Sequence, residues 1–132
     1  MNYLIRGFLS QILVKDIMNQ NFYSVFRDET IENVSILMVK KKVNHLPVVS
    51  EGKLEGIVTS WDITKAVTCK ITELNEIITR DVWYDHGGDK VEIASSTMEN
   101  YSISALPVID LENHITCMVT GDNMSTLIGK FH

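Results

Sequence analysis

The chain repeats itself. Displaced by 60 positions, residues 14–49 fall on 74–109, so that Ile17 meets Ile77, Glu32 meets Glu92, Ser35 meets Ser95 and Met38 meets Met98. The run Leu46-Pro47-Val48 meets Leu106-Pro107-Val108, which puts both prolines of the chain on matched positions. Beyond the proline the offset becomes 61, placing Thr59 on Thr120 and Asp62 on Asn123. One extra residue in a turn between strands is readily absorbed. Such a duplication constrains the fold strongly, because each copy must be one supersecondary unit that buries its apolar face against another.

Each copy reads as the same string of elements. In copy one, Asn21–Val25 is a short strand, and Asp28 or Thr30 caps a helix with Ile31, Val34, Leu37 and Met38 on one face. Lys40-Lys41-Lys42 suits the negative end of that helix. Leu46–Val49 is a strand whose proline stops the helix from continuing. Ser50–Lys53 is a hairpin turn. Leu54–Val58 is the partner strand, and Thr59–Thr68 a second helix. Copy two repeats this with strands at Val82–Tyr84, Leu106–Ile109 and Ile115–Val119. Its helices run from about Asp89 to Tyr101 and Thr120 to Ile128. A β-α-β-β-α copy cannot cover both faces of its sheet alone. The expected fold is therefore α+β, with two pseudo-symmetric β-α-β-β-α motifs packed sheet to sheet. Residues 14–70 form the first motif and 71–130 the second. Residues 1–13 form an N-terminal amphipathic helix, with Leu4, Ile5, Phe8, Leu9, Ile12 and Leu13 on its apolar side. That helix packs on its own module, on a dimer partner or on an upstream domain.

Charge and cysteine content exclude several classes of function. Twelve basic against 17 acidic residues give a net charge of −5, which argues against nucleic acid and anionic membranes as partners. No apolar run approaches the roughly 20 residues of a membrane span, and Arg6 and Gln11 interrupt the N-terminal apolar stretch. Cys69 and Cys117 form no CxxC pair, and the four histidines show no ligand spacing, so no metal site is expected. With no nucleophile–base pair and no Gly-rich phosphate loop, neither an enzyme nor a cofactor is expected. These features suit a cytoplasmic protein.

The candidate site is Thr59–Asp62, where a strand ends and a helix begins. Free N–H groups and the positive dipole end of that helix suit a phosphate or another electron-rich group. The Thr59 and Ser60 hydroxyls can cap the helix or donate to a ligand. The Asp62 carboxylate can accept two hydrogen bonds from a vicinal diol such as ribose. From residue type alone, a plain helix cap is the simpler reading.

The strand "LPVV", the hairpin and then "GIVTSWDI" from Gly56 to Ile63 tip that balance. Over residues 14–130 the chain resembles the CBS-domain family, whose motifs occur in tandem as Bateman modules. The resemblance implies a regulatory module binding an adenosine-containing ligand such as AMP, S-adenosylmethionine or methylthioadenosine. It assigns the ribose to Asp62, and the base pocket to Ile57 and Val58 with Ile78, Thr79, Val82 and Trp83; peptide groups near Thr79 would read the adenine amino edge. A weaker second site would use Thr120 and Asn123 with Ile17, Met18, Asn21 and Tyr23, because a neutral amide replaces the carboxylate. Phosphate-gripping family members often carry a basic residue three before the proline; Asn44 and Ser104 stand there instead, with His45 and Lys65 nearby. Affinity should then fall from AMP to ADP to ATP, and Glu51, Glu55 and Asp62 would tolerate a sulfonium. The resemblance also implies a homodimer, with an upstream or partner effector domain as the regulated element. The alternative is a structural or dimerising module with unoccupied pockets.

Overall fold

The computed structural model describes residues 12–17 and 22–123; the expected helix over 1–13 lies almost wholly outside them, as does the end of the last helix. Four helical segments and four strands follow the repeat. Two short 3-10 turns, Val14–Asp16 and Leu74–Glu76, sit at matched positions. Helices α1 (Ile31–Lys41), α2 (Ser60–Thr68) and α3 (Val91–Asn100) alternate with strands β1 (His45–Ser50), β2 (Lys53–Thr59), β3 (Ala105–Ile109) and β4 (Ile115–Thr120). A fourth helix opens over residues 121–123. The fold is α+β with two small antiparallel sheets, β1-β2 and β3-β4.

Local chemistry explains each boundary. Thr30, rather than Asp28, caps α1, its hydroxyl accepting from the Asn33 N–H at 3.0 Å. Helix α1 ends where Lys42 turns left-handed at φ 56° and the Val43 N–H returns to the Met38 carbonyl, the closing bond of a Schellman turn. Copy two closes α3 the same way, with Ser102 at φ 53° and Ile103 bonded to Met98. Between β1 and β2, Glu51 and Gly52 both take positive φ, the two-residue hairpin that matches strand twist. The extra residue of copy two enlarges this hairpin to 110–114, which Asp110 organises by accepting from the Glu112 and His114 N–H groups.

The leading strands shrink to single bridges. Where Asn21–Val25 and Val82–Tyr84 were expected, only Val25 pairs with Val48 and only Asp85 with Val108, both in parallel. A turn follows at once: the Glu29 N–H bonds the Phe26 carbonyl and the Asp89 N–H bonds the His86 carbonyl, so the ladder has no room to grow. The same bridges explain the prolines. Val25 needs the Pro47 carbonyl and the Val49 N–H, so the N–H that proline lacks is never called on. Copy two repeats this at Pro107.

The chain packs as two compact units, Tyr23–Val82, and Met1–Phe22 together with Trp83–His132. The core of the first joins Val25, Ile31, Val34, Met38, Leu46, Val48, Val58, Ile63 and Ala66 to Leu74. Leu74 is fully buried although it follows the first copy in sequence. The second core joins Val91, Ala94, Met98, Leu106, Val108, Cys117 and Val119 to Val14, the first residue of copy one. Each copy is thus completed by the 3-10 turn that opens the other. Backbone bonds fix each borrowed turn: Thr30 bridges Glu73, and the Val14 N–H donates to the Asp89 carbonyl at 2.7 Å.

Leu74→Ala is therefore expected to lower unfolding free energy by about 2–5 kcal/mol, as Leu46→Ala does, since both empty a filled core position. Denaturant titration of the two variants measures it; a cost near zero for Leu74→Ala would show that the borrowed turn is not part of the core.

Candidate functional site

The Thr59–Asp62 junction is a reciprocal capping box. The Thr59 N–H donates to Asp62 Oδ2 at 2.9 Å, and the Asp62 N–H donates to Thr59 Oγ1 at 3.2 Å. This pairing satisfies two orphan donors and fixes the carboxylate in one orientation. Asp62 Oδ1 is left pointing elsewhere, 3.7 Å from Lys65 Nζ. One oxygen therefore holds the helix while the other pairs with Lys65, a partner that a diol would have to share or displace.

The first turn offers less to a phosphate than its sequence suggested. The Ser60 N–H is taken by the Asn44 carbonyl at 2.9 Å, and the Asp62 N–H by Thr59. Trp61 keeps the remaining first-turn N–H. Asn44, at the position where a phosphate-gripping cation would stand, thus contributes a backbone carbonyl. Lys65, expected only to lie nearby, is paired with Asp62 and stands 5.9 Å over the Trp61 ring. His45 faces Thr59 across the β1-β2 ladder. Burial lowers its pKa, against an opposing pull from the Asp62 charge, so it is neutral at neutral pH.

The base-side segment is positioned by β2. The Ile57 N–H donates to the Thr79 carbonyl and the Thr79 N–H to the Ile57 carbonyl, both at 2.9 Å. These bonds occupy the peptide groups of Thr79 itself, so an adenine edge would have to be read by neighbouring ones. Gly56 makes the approach possible: a Cβ there would lie 2.4 Å from the Thr79 carbonyl oxygen and 2.5 Å from Ile78 Cγ2. Ile78 packs against the core that includes Val58. Ile57, Val58, Thr59, Ser60, Asp62, Ile78, Thr79 and Val82 all belong to the first unit. Trp83 belongs to the second, where its ring stacks on Tyr101 with centroids 4.0 Å apart.

Two of the acids expected to favour a cation are placed otherwise. Glu55 is the bulge residue of β2, skipped between the Val48–Gly56 and Val49–Leu54 pairs. Its carboxylate is flanked by Arg27 and Arg80, each at 3.7 Å, so its charge is already matched. Glu51 sits in the hairpin turn, at the far end of β1 from the His45–Thr59 pair, roughly 15–20 Å away at strand rise. Asp62 alone of the three stays with the site. The sequence did not signal the Arg27–Glu55–Arg80 group, because a bulge re-aims a side chain without changing the alternation around it.

The copy-two junction keeps the backbone and changes the chemistry. Asn123 Oδ1 accepts from the Thr120 N–H at 2.8 Å and the Thr120 hydroxyl at 3.0 Å, while the Asn123 N–H donates to Thr120 Oγ1. The carbonyl is consumed and only the amide NH₂ remains, a donor where Asp62 presents an acceptor. Ile17 packs on the second core; Met18 and Asn21 lie outside the described residues. Tyr23 belongs to the first unit, with Lys41 Nζ 5.1 Å above its ring. Among the described residues no cluster of His, Cys, Asp and Glu could hold a metal, and no helix is long and apolar enough to cross a membrane. Both cysteines are free; burial pushes the Cys117 thiol up to about 11.

Asp62→Ala is expected to weaken binding of an adenosine ligand by roughly 1.5–3 kcal/mol, the scale of a charge-assisted hydrogen bond. It should also cost about 0.5–2 kcal/mol of stability through the lost cap. Asn123→Ala should show the stability loss without a comparable binding loss. Calorimetry and denaturation of both variants separate the two roles, and unchanged affinity in Asp62→Ala would place the ribose elsewhere.

Known proteins match this architecture from end to end. The CBS domain matches residues 14–68 and 74–128. The chain is 66% identical to a homoserine O-acetyltransferase of Methanosarcina acetivorans and 42% identical to that of Methanosphaerula palustris, over 99% and 98% of its own length. It spans about a quarter of the length of these curated relatives, 24% and 27%. Among solved structures it resembles the CBS domain pair of protein MJ0100 in complex with 5′-methylthioadenosine and S-adenosyl-L-methionine. The TM-score is 0.86 and the identity 36%, over 92% of this chain and 98% of that one. With both copies matched and the junctions in place, the chain belongs to the CBS domain family, as a tandem pair forming a Bateman module.

Proposed function

We propose that this CBS pair is a regulatory module that binds an adenosine-containing ligand, with Asp62 on the ribose, and that it performs no chemistry itself. The observation that carries the reading is the Asp62 carboxylate: one oxygen is locked in the cap, and the other meets Lys65 Nζ at 3.7 Å, beyond hydrogen-bond length and so open to exchange for a diol. A CBS pair 36% identical to it binds 5′-methylthioadenosine and S-adenosyl-L-methionine, which supports the ligand class. Such a module acts only through different affinities for two states. Its ligand is an intracellular metabolite, which fits a cytoplasmic protein.

The surroundings of Asp62 favour a ligand tail without phosphates. The Thr59, Ser60 and Asp62 N–H groups are bonded internally, Lys65 is matched by Asp62, and burial keeps His45 neutral. A desolvated phosphate would find little to pair with, and unpaired buried charge is expensive. S-adenosylmethionine and methylthioadenosine are therefore the preferred ligands, with AMP behind them. The relatives named homoserine O-acetyltransferase suggest what is regulated. S-adenosylmethionine carries a 2-aminobutyrate chain substituted at its fourth carbon, the skeleton that acylation of homoserine activates. Control of that acyl transfer by a compound built on the same skeleton would be feedback, with the acetyltransferase as the effector.

Two further readings attach to particular observations. Exposed Ile36 and Val39 on α1 and Trp61 and Val67 on α2 give apolar surface suited to a homodimer; sedimentation should show a dimer at tens of micromolar, and a monomer there would refute it. Asn123 favours the alternative of a structural module with vacant pockets. Calorimetry of the chain at low salt without magnesium decides. The expected order is S-adenosylmethionine and methylthioadenosine at or above AMP, then ADP, then ATP. Tightest binding by ATP would overturn the tail assignment, and binding by none of them would leave the structural module.

A further inference from the structure

The two copies differ most sharply at one core position. In copy one it is Val25, buried among Ile31, Val34 and Met38. Its match is Asp85, bridged to Val108 of the second core as Val25 is to Val48 of the first, and it is only 5% exposed. A carboxylate thus replaces an isopropyl group. The backbone holds it there: the Asp85 N–H donates to the Pro107 carbonyl at 3.0 Å and its carbonyl accepts from the Ile109 N–H at 2.9 Å. Asp85 Oδ2 is buried and has no hydrogen-bond partner.

The loop that follows Asp85 is the landing place of residues 12–17. The Lys15 N–H donates to the Gly87 carbonyl at 3.0 Å, the Val14 N–H to the Asp89 carbonyl at 2.7 Å, and the Val91 N–H to the Ile12 carbonyl at 2.9 Å. Leu13 bridges Lys90. In copy one the loop after Val25 carries Arg27, Asp28 and Glu29; here it is His86-Gly87-Gly88-Asp89, which leaves the backbone easier to displace.

We propose that Asp85 is a proton-operated latch on the segment Ile12–Ile17: neutral, it holds the 85–90 loop in the docked shape; ionised, it loosens that loop and the segment with it. The charged groups around it do not neutralise it. Asp89 is itself an acid, its Oδ2 accepting from the His86 N–H at 2.8 Å, and His86 Nδ1 is bonded to the Ile109 carbonyl at 2.9 Å. Lys90 begins α3 and Lys15 rides on the docked segment, both exposed; β3 brings only Pro107, Val108 and Ile109. Burial first, and Asp89 second, push the Asp85 carboxyl up to about 6 from 3.8, against a smaller pull from His86. The raised value means that the folded state prefers the protonated form. The stabilisation is whole below about pH 4 and is lost as pH rises towards about 6.

Hydrogen exchange on the full chain tests this, with each amide corrected for intrinsic rate and Ile57 and Thr79 as internal references. Protection of Val14 and Lys15 should fall about tenfold from pH 5 to pH 7 relative to those references, as two pKa values some two units apart require. In Asp85→Asn and Asp85→Val the dependence should vanish. Dependence retained in Asp85→Asn, or absent from the unaltered chain, overturns the proposal. Should both variants fail to fold, the carboxyl carbon of Asp85, read by NMR, and the Val14 and Lys15 protection are followed together in the unaltered chain: a common midpoint upholds the proposal, and protection that does not follow the Asp85 titration, or an Asp85 midpoint near 4, sinks it.

Discussion

Leu74 and Val14 are the residues on which the rest of the structure depends. Each fills a core built otherwise from elements that lie on one copy of the repeat, and each arrives from the 3-10 turn that opens the other copy. A sheet of two strands with two helices exposes too much apolar surface to stand alone. Borrowing one buried side chain and the bonds that anchor it closes each core. This also explains why the compact units, Tyr23–Val82 and its complement, are cut differently from the repeat. The duplication describes how the sequence is organised; the units describe where apolar surface is hidden.

The strand-to-helix junction lets one side chain hold a helix start and, under the proposed function, meet a ligand as well. Asp62 uses Oδ2 for the cap and turns Oδ1 towards Lys65, while Thr59 completes the reciprocal bond. The rigidity matters, because a carboxylate already fixed by a backbone N–H loses little further freedom on meeting a ligand. Gly56 plays the complementary part on β2. It leaves the space that lets the Ile78–Thr79 segment lie against the strand, where Ile57 pairs with Thr79.

The copies share a backbone and diverge in what hangs from it. Asp62 becomes Asn123 with the capping geometry intact. Gly56 becomes Cys117, fully buried in the second core. The Tyr23–Lys41 cation–π contact becomes the Trp83–Tyr101 stack, and Val25 becomes Asp85. None of these exchanges disturbs the ladder, since the strand pairs and bridges are made by the main chain. Duplication thus preserves a scaffold while leaving the two halves free to differ in charge and in the side chains they carry.

By itself the sequence determined the repeat, the order of elements, the capping of α2 and the family. These depend on residue type and spacing: the apolar period of Ile31, Val34 and Met38, the matched prolines, and Thr59 three residues before Asp62. It overstated the strands expected at Asn21–Val25 and Val82–Tyr84, because the turns that close at Glu29 and Asp89 leave room for a single bridge in each copy. Only the tertiary structure decided that the first-turn N–H groups are spent internally, that Glu55 is held between Arg27 and Arg80, and that Glu51 is far from the site. It alone showed that Leu74, which opens the second copy, completes the first copy's core, and that Asp85 is buried with one carboxyl oxygen unpartnered. The physical reason is common to all of these. Hydrogen-bond satisfaction and burial are settled by groups distant along the chain, and local pattern carries no record of which distant group arrives.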